Sequence, residues 1–281
     1  MSDWSDGYIA TNGMKIHYYR TGGSKPQVVI NHGIGDDGLC WTRVASELEN
    51  DYDVIMPDAR GHGKSASGKG DYSTSRLVND LAGLIYELKL DRPVVGGHSM
   101  GAHTSLFLAA NYPGLTRGIF LEDPPIFLPG EKFGSGEQSI NVEEVGKMMA
   151  RFMRTFKLLP RFIGVRLARK GSPTYPDSEI IPWLNSKKRL SFDCLTSMPR
   201  MKGHIGDPFE AFRKISVPAL LFIGDKEKMS IVSPETAQAA VRANDKVQVI
   251  HLEGASHDIR RTRFDGYMPS LKKFLDGIFH T

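Results

Sequence analysis

The run Gly97-His98-Ser99-Met100-Gly101 places one serine between two glycines, each two residues away. A hydroxyl is a poor nucleophile at neutral pH, so Ser99 can attack a carbonyl only if a neighbouring base takes its proton. Of nine histidines, His257 suits that task best. It ends the small-residue loop Gly254-Ala255-Ser256-His257, between an apolar run and a terminal amphipathic stretch. Such a histidine needs a carboxylate to fix its tautomer and to stabilise the imidazolium it becomes. The chemistry these residues suggest is attack on an acyl carbon.

Gly-x-Ser-x-Gly alone is a weak signal, so the elements that flank it decide its meaning. The apolar run 93–98 reads as a strand ending at the motif. Residues 99–111 read as a helix stopped by Tyr112-Pro113. Strand, tight turn, helix is the context in which a nucleophilic serine stands at an exposed apex. The helix start adds free N–H groups and a positive dipole end. The wider chain has the same rhythm. Runs at 14–20, 27–32, 53–58, 118–121, 217–223 and 246–252 read as strands. Stretches at 40–49, 74–88, 234–242 and 264–279 read as helices, with Leu77, Leu81, Leu84, Ile85 and Leu88 on one face of the second. Alternating strands and helices predict the α/β class, a mainly parallel central sheet with helices on both faces.

Between 124 and 213 the rhythm breaks. A long helical pattern over 142–159 is followed by basic stretches punctuated by Pro160, Pro173, Pro176, Pro182 and Pro199, read as loops. We expect residues 1–123 and 214–281 to form the core. Residues 124–213 would be a helical lid inserted after the sixth strand, over the carboxyl edge where open α/β sheets place their sites. The lid carries an apolar stripe, Val145, Met148, Met149, Phe152, Met153 and Phe156, interleaved with Lys147, Arg151, Arg154 and Lys157. Three readings stay open for it: a helix packed on the body, an adaptable acyl pocket, or a face for anionic or lipid-borne substrates. Trp41 and Trp183 are further candidate pocket walls.

The motifs together resemble the α/β-hydrolase superfamily in its capped form. They are His32-Gly33-Ile34-Gly35, the run Pro57-Asp58-Ala59-Arg60-Gly61-His62-Gly63-Lys64-Ser65, the serine motif and the His257 loop, about 225 residues in the family's order. The resemblance implies a Ser-acid-His triad and an oxyanion hole from the backbone N–H groups of Met100 and Ile34. Arg60 and His62 would tie loops together. The acid stays open. The family's usual place, after the run 217–223, offers Asp225 and Glu227; its less common place, after the preceding strand, offers Asp123. A serine at 99 excludes the haloalkane dehalogenases and epoxide hydrolases of this fold, which need a carboxylate nucleophile.

Composition sets the outer bounds. With 281 residues, 40% hydrophobic and 24% charged, the chain is a packed protein, not a disordered one. A net charge of +4 is no footprint for nucleic acid. It is unevenly spread: residues 131–202 hold 14 Lys and Arg against 7 Asp and Glu. Two cysteines, Cys40 and Cys194, make no disulfide framework. The polar start lacks a signal-peptide pattern, so a cytoplasmic protein without stable membrane insertion is expected. No metal-ligand spacing occurs and the chemistry requires no cofactor. The expected function is hydrolysis of a carboxylic ester, lactone or thioester with an apolar acyl part. Carbon–carbon bond hydrolysis, amide hydrolysis, acyl transfer, or a receptor that keeps the triad are the alternatives. Oligomeric state is left open.

Overall fold

A computed structural model describes residues 4–131, 142–198 and 207–280. Eight strands form one sheet in the order β1-β2-β4-β3-β5-β6-β7-β8. They are β1 (Ser5–Thr11), β2 (Met14–Arg20), β3 (Gln27–Asn31), β4 (Asp53–Pro57), β5 (Val94–His98), β6 (Gly118–Glu122), β7 (Ala219–Ile223) and β8 (Val247–His251). β1 and β2 pair antiparallel, as do β2 and β4; from β4 to β8 all pairings are parallel. Strands β4 to β7 are buried along nearly their whole length, as strands covered on both faces must be.

The helices explain that burial. One face is covered by α2 (Thr74–Glu87), α3 (Met100–Asn111), α8 (Pro208–Lys214) and α9 (Pro234–Ala243), the other by α1 (Thr42–Leu48) and α11 (Phe264–Phe279). Between β6 and β7 the chain runs through α4 (Val142–Leu158), α5 (Arg161–Gly171), α6 (Asp177–Arg189) and α7 (Phe192–Ser197). The basic loops expected here are therefore helices. Pro160 and Pro176 are their N-caps, where the missing N–H costs nothing, and Pro182 lies inside α6. Residues 132–141 and 199–206 of the insert lie outside the described residues. A short α10 (Ile259–Thr262) follows the His257 loop.

The carboxyl ends of β3, β5, β6, β7 and β8 lie side by side, so their loops converge on one edge of the sheet. All the candidate site residues sit there.

Candidate active site

The elbow comes first. β5 delivers the chain to Ser99, which has φ 50° and ψ −116°, a conformation that L-residues rarely adopt. Two bonds hold it: its N–H donates to the Glu122 carbonyl at 2.8 Å and its carbonyl accepts the His103 N–H at 2.9 Å. A Cβ at Gly97 or Gly101 would collide with the Asn31 carbonyl, so both glycines are steric requirements of the turn. Met100 is the first residue of α3, and a first-turn N–H has no partner within its own helix.

The three candidate acids differ in what they touch. Asp123 follows β6, and its Oδ2 lies 2.6 Å from His257 Nδ1. The carboxylate also accepts the Ser230 hydroxyl at 2.8 Å and the N–H groups of Ile231 at 2.7 Å and Val232 at 2.9 Å. The loop after β7, the family's usual place for an acid, here supplies three donors to the carboxylate that follows β6. Asp225 does something else: it accepts the Gly254 N–H at 2.8 Å and pairs with His251 at 2.8 Å. It thereby shapes the loop that carries His257. Glu227 is exposed on a short turn. Of the three candidates, only Asp123 meets His257.

The electrostatics of the two adjacent histidines diverge. Burial, the largest single influence, would push His257 down, but the hydrogen bond and charge of Asp123 with the charges of Asp258 and Glu122 together hold its pKa above the ordinary histidine value. His98, its ring tilted against that of His257 with centroids 4.5 Å apart, is pushed well down, by burial first and then by its neighbour's charge. A neutral His98 can donate Nε2–H to the His257 carbonyl at 3.0 Å, which fixes the loop without competing for the proton.

Opposite the elbow, the loop after β3 is held from several sides. His32 Nδ1–H donates to the Gly33 carbonyl at 2.8 Å and His32 Nε2 accepts the Ala59 N–H at 2.9 Å. In a trans peptide, C=O and N–H point oppositely. Fastening the Gly33 carbonyl to one side thus turns the Ile34 N–H to the other. His62 Nε2 accepts the Gly35 N–H at 3.0 Å; burial pushes its pKa to about 3, so it stays an acceptor. Arg60 grips Asp80 with two bonds and donates to the Asp71 carbonyl. Lys187 of α6, fully buried, donates to the Gly35 carbonyl at 2.9 Å and to Asp36 at 2.6 Å, and Arg189 pairs with Asp37. The insert thus fastens the loop that bears Ile34.

Ser99, Met100, Ile34 and His257 line one cavity of about 760 Å³. Its far wall is largely apolar. Val145, Met148, Met149, Phe152 and Met153 come from α4, and Trp183 comes from α6. Phe156 of the same stripe is buried against Ala168, Ile180 and Leu184 instead. Trp41 is not a wall at all; it lies in the core with the Arg260 guanidinium stacked 4.0 Å over its ring.

Residues 28–264 match the family model described as the alpha/beta hydrolase family. The chain belongs to the alpha/beta hydrolase family. The chain is 28% identical to N-formylmaleamate deformylase of Pseudomonas putida over 96% of both chains. It is 24% identical to 2-(acetamidomethylene)succinate hydrolase of Mesorhizobium japonicum, covering 92% of this chain and 90% of that one. In three dimensions it resembles the N-formylmaleamic acid deformylase of Pseudomonas putida S16 with a TM-score of 0.79, at 20% identity, covering 95% of this chain and all of that one. These relatives are hydrolases by name.

Three residues of the cavity wall carried no signal in the sequence: Asp36, Lys187 and Arg261. Lys187 reads as one of three basic residues ending a helix, and nothing local marks it as buried. Its meaning comes from Asp36, 151 residues away.

Proposed function

We propose that this protein is a serine hydrolase that cleaves a carboxylic ester, lactone or thioester through an acyl-enzyme. The observation that carries the proposal is the Asp123–His257 contact at the edge of a cavity that Ser99 also lines. Ser99 Oγ adds to the acyl carbon as His257 takes its proton, and Asp123 stabilises the imidazolium. The N–H groups of Met100 and Ile34 hold the oxyanion. His257 then gives the proton to the leaving oxygen or sulfur. The same histidine activates water, which releases the acid and restores Ser99. Of residues 124–213, the part before α8 acts as the lid, since α8 packs on the sheet face. The N–formyl and acetamido groups in the relatives' names favour a second reading, amide hydrolysis on the same residues.

The test is hydrolysis of p-nitrophenyl esters from acetate to laurate, with an anilide of the best acyl group alongside. Turnover of esters with an optimum at medium acyl length is expected. A fluorophosphonate should label Ser99, and His257→Ala should prevent the labelling. Turnover of the anilide above the ester would move the assignment to amides. Failure of both turnover and labelling would overturn the proposal.

The cavity wall also bears on the acyl group. Its two permanent cations, Lys187 and Arg261, face carboxylates already: Asp36 with both, and Asp258 and Glu179 with Arg261. With its cations matched internally, the wall has no charge left to compensate a substrate carboxylate, whose burial unpaired costs several kcal/mol. A p-nitrophenyl butyrate should therefore exceed the corresponding succinate half-ester in kcat/KM by at least about tenfold. A preference for the half-ester would show that this wall opens to accept an anion, as the acid names of the relatives suggest for theirs.

A further inference from the structure

Helices α4 and α5 carry a surface that the proposed reaction does not use. From 145 to 176 the sequence holds eight Lys and Arg and not one Asp or Glu. Arg151, Arg154, Arg161, Arg166 and Lys170 are all exposed. Among them stand large apolar side chains that a buried helix face would have covered: Phe162 is 76% exposed, Leu158 61%, and Met148 and Phe152 50% each. Phe162, Arg166 and Lys170 follow one another at four-residue spacing on α5, one row of neighbouring side chains. Phe192 of α7, also exposed, adjoins the patch with the Lys157 ammonium 4.9 Å over its ring.

The patch is continuous with the cavity. Met148 and Phe152 are half exposed on the outside and line the cavity on the inside. Phe152 packs against Phe156 and Trp183, with ring centroids 4.9 and 6.0 Å apart. An apolar molecule leaving the patch would therefore meet Met and Phe without a break.

We propose that the α4–α5 face docks on a bilayer surface containing anionic lipids and that the cavity takes its acyl substrate from there. Protruding aromatic and aliphatic side chains ringed by arginine suit the boundary between headgroups and acyl chains. The apolar atoms enter it while the cations stay among the phosphates. Between 145 and 176 no carboxylate repels the phosphates; Glu143 and Glu144 precede the stretch, and Asp177, which pairs with Arg169, follows it. Among the described residues no helix is long and apolar enough to cross a membrane, so the docking is peripheral. The part concerning substrate entry rests on the proposed hydrolase reading; the docking itself does not.

The experiment measures binding, so it fails or succeeds independently of catalysis. The full chain is sedimented with vesicles of phosphatidylcholine alone or mixed with phosphatidylglycerol, at low and high salt. Binding to the mixed vesicles, weakened by salt, is expected. Arg151→Gln with Arg166→Gln should lower the partition coefficient roughly thirtyfold, from about a kcal/mol per cation at such a surface. Arg242→Gln, an exposed cation on α9, should leave it unchanged. Phe162→Ser should weaken binding without changing hydrolysis of a short soluble ester, which also reports that the variant is folded. In Phe162→Trp, brominated lipid should quench the new fluorescence. No binding to mixed vesicles, equal binding to neutral ones, or an equal loss in Arg242→Gln would overturn the proposal. So would retention of the wild type by an acidic protein but not by lipid.

Discussion

Alanine at position 99 is expected to leave a folded protein whose kcat is lower by on the order of 10⁵–10⁶, the loss seen when a triad nucleophile is removed. Without Oγ no acyl-enzyme forms, and the oxyanion donors and the cavity can give only the residual acceleration of a positioned substrate. Ester hydrolysis followed with and without fluorophosphonate checks this. The small remaining rate should be insensitive to the reagent. The backbone adds a sharper expectation. Ser99 sits at φ 50° and ψ −116°, which a Cβ penalises and glycine does not. Such strain is of order 1–3 kcal/mol, partly offset by the greater freedom glycine has when unfolded. Ser99→Gly should therefore be as inactive as Ser99→Ala but melt a few degrees higher. Equal melting temperatures would mean that the turn is unstrained; an active Ser99→Ala would end the assignment.

How much of this was legible in the sequence follows from the range of the interactions. The elbow was legible because its requirements are local: a strand, two glycines against the Asn31 carbonyl, and a helix start within a dozen residues. The alternation of strands and helices was legible for the same reason. β1 was missed, although its signal was present. Asn12-Gly13, with φ of 50° and 72°, is the two-residue turn that joins β1 to β2. The edge strand itself is too exposed to show an apolar run. Within the insert the long helix α4 was legible, but α5, α6 and α7 were misread as loops because their stretches are basic and interrupted by proline. They bury little, and their prolines mark helix starts as often as helix ends.

The carboxylate that meets His257 was not legible for a different reason. Asp123 and Asp225 occupy equivalent places, each directly after a parallel strand and its following turn or glycine. What separates them is which loop wraps which carboxylate. Asp123 is pointed at His257 by three donors from residues 230–232, more than a hundred residues away in sequence. Asp225 is turned aside by Gly254 and His251. Both carboxylates are well satisfied, so counting hydrogen bonds does not choose between them; the direction of the bonds does. The same holds for Lys187, whose position fastening the Gly35 carbonyl depends on α6 folding back over the β3 loop.

That geometry makes the pair of amidations the most discriminating measurement. Asp123→Asn should lower kcat by on the order of 10³–10⁴, because an amide that donates to Nδ1 would hold the wrong tautomer and would no longer stabilise the imidazolium. That corresponds to about 4–5.5 kcal/mol of transition-state stabilisation. Asp225→Asn removes a charge from His251, not from His257, and should cost less than about tenfold, through a looser loop. The pH profile supplies a second readout. The base must be neutral to accept the serine proton, so kcat/KM falls as the pH drops through the His257 pKa. In the wild type that limb should lie above the ordinary histidine value of 6.5, since the hydrogen bond and charge of Asp123, together with the charges of Asp258 and Glu122, favour the charged ring more than burial disfavours it. In Asp123→Asn only burial and more distant charges remain, so the limb should move to lower pH; in Asp225→Asn it should stay in place. A profile that moves in Asp225→Asn and not in Asp123→Asn would transfer the role to Asp225, and with it would require the 224–230 loop to swing from His251 to His257 during turnover.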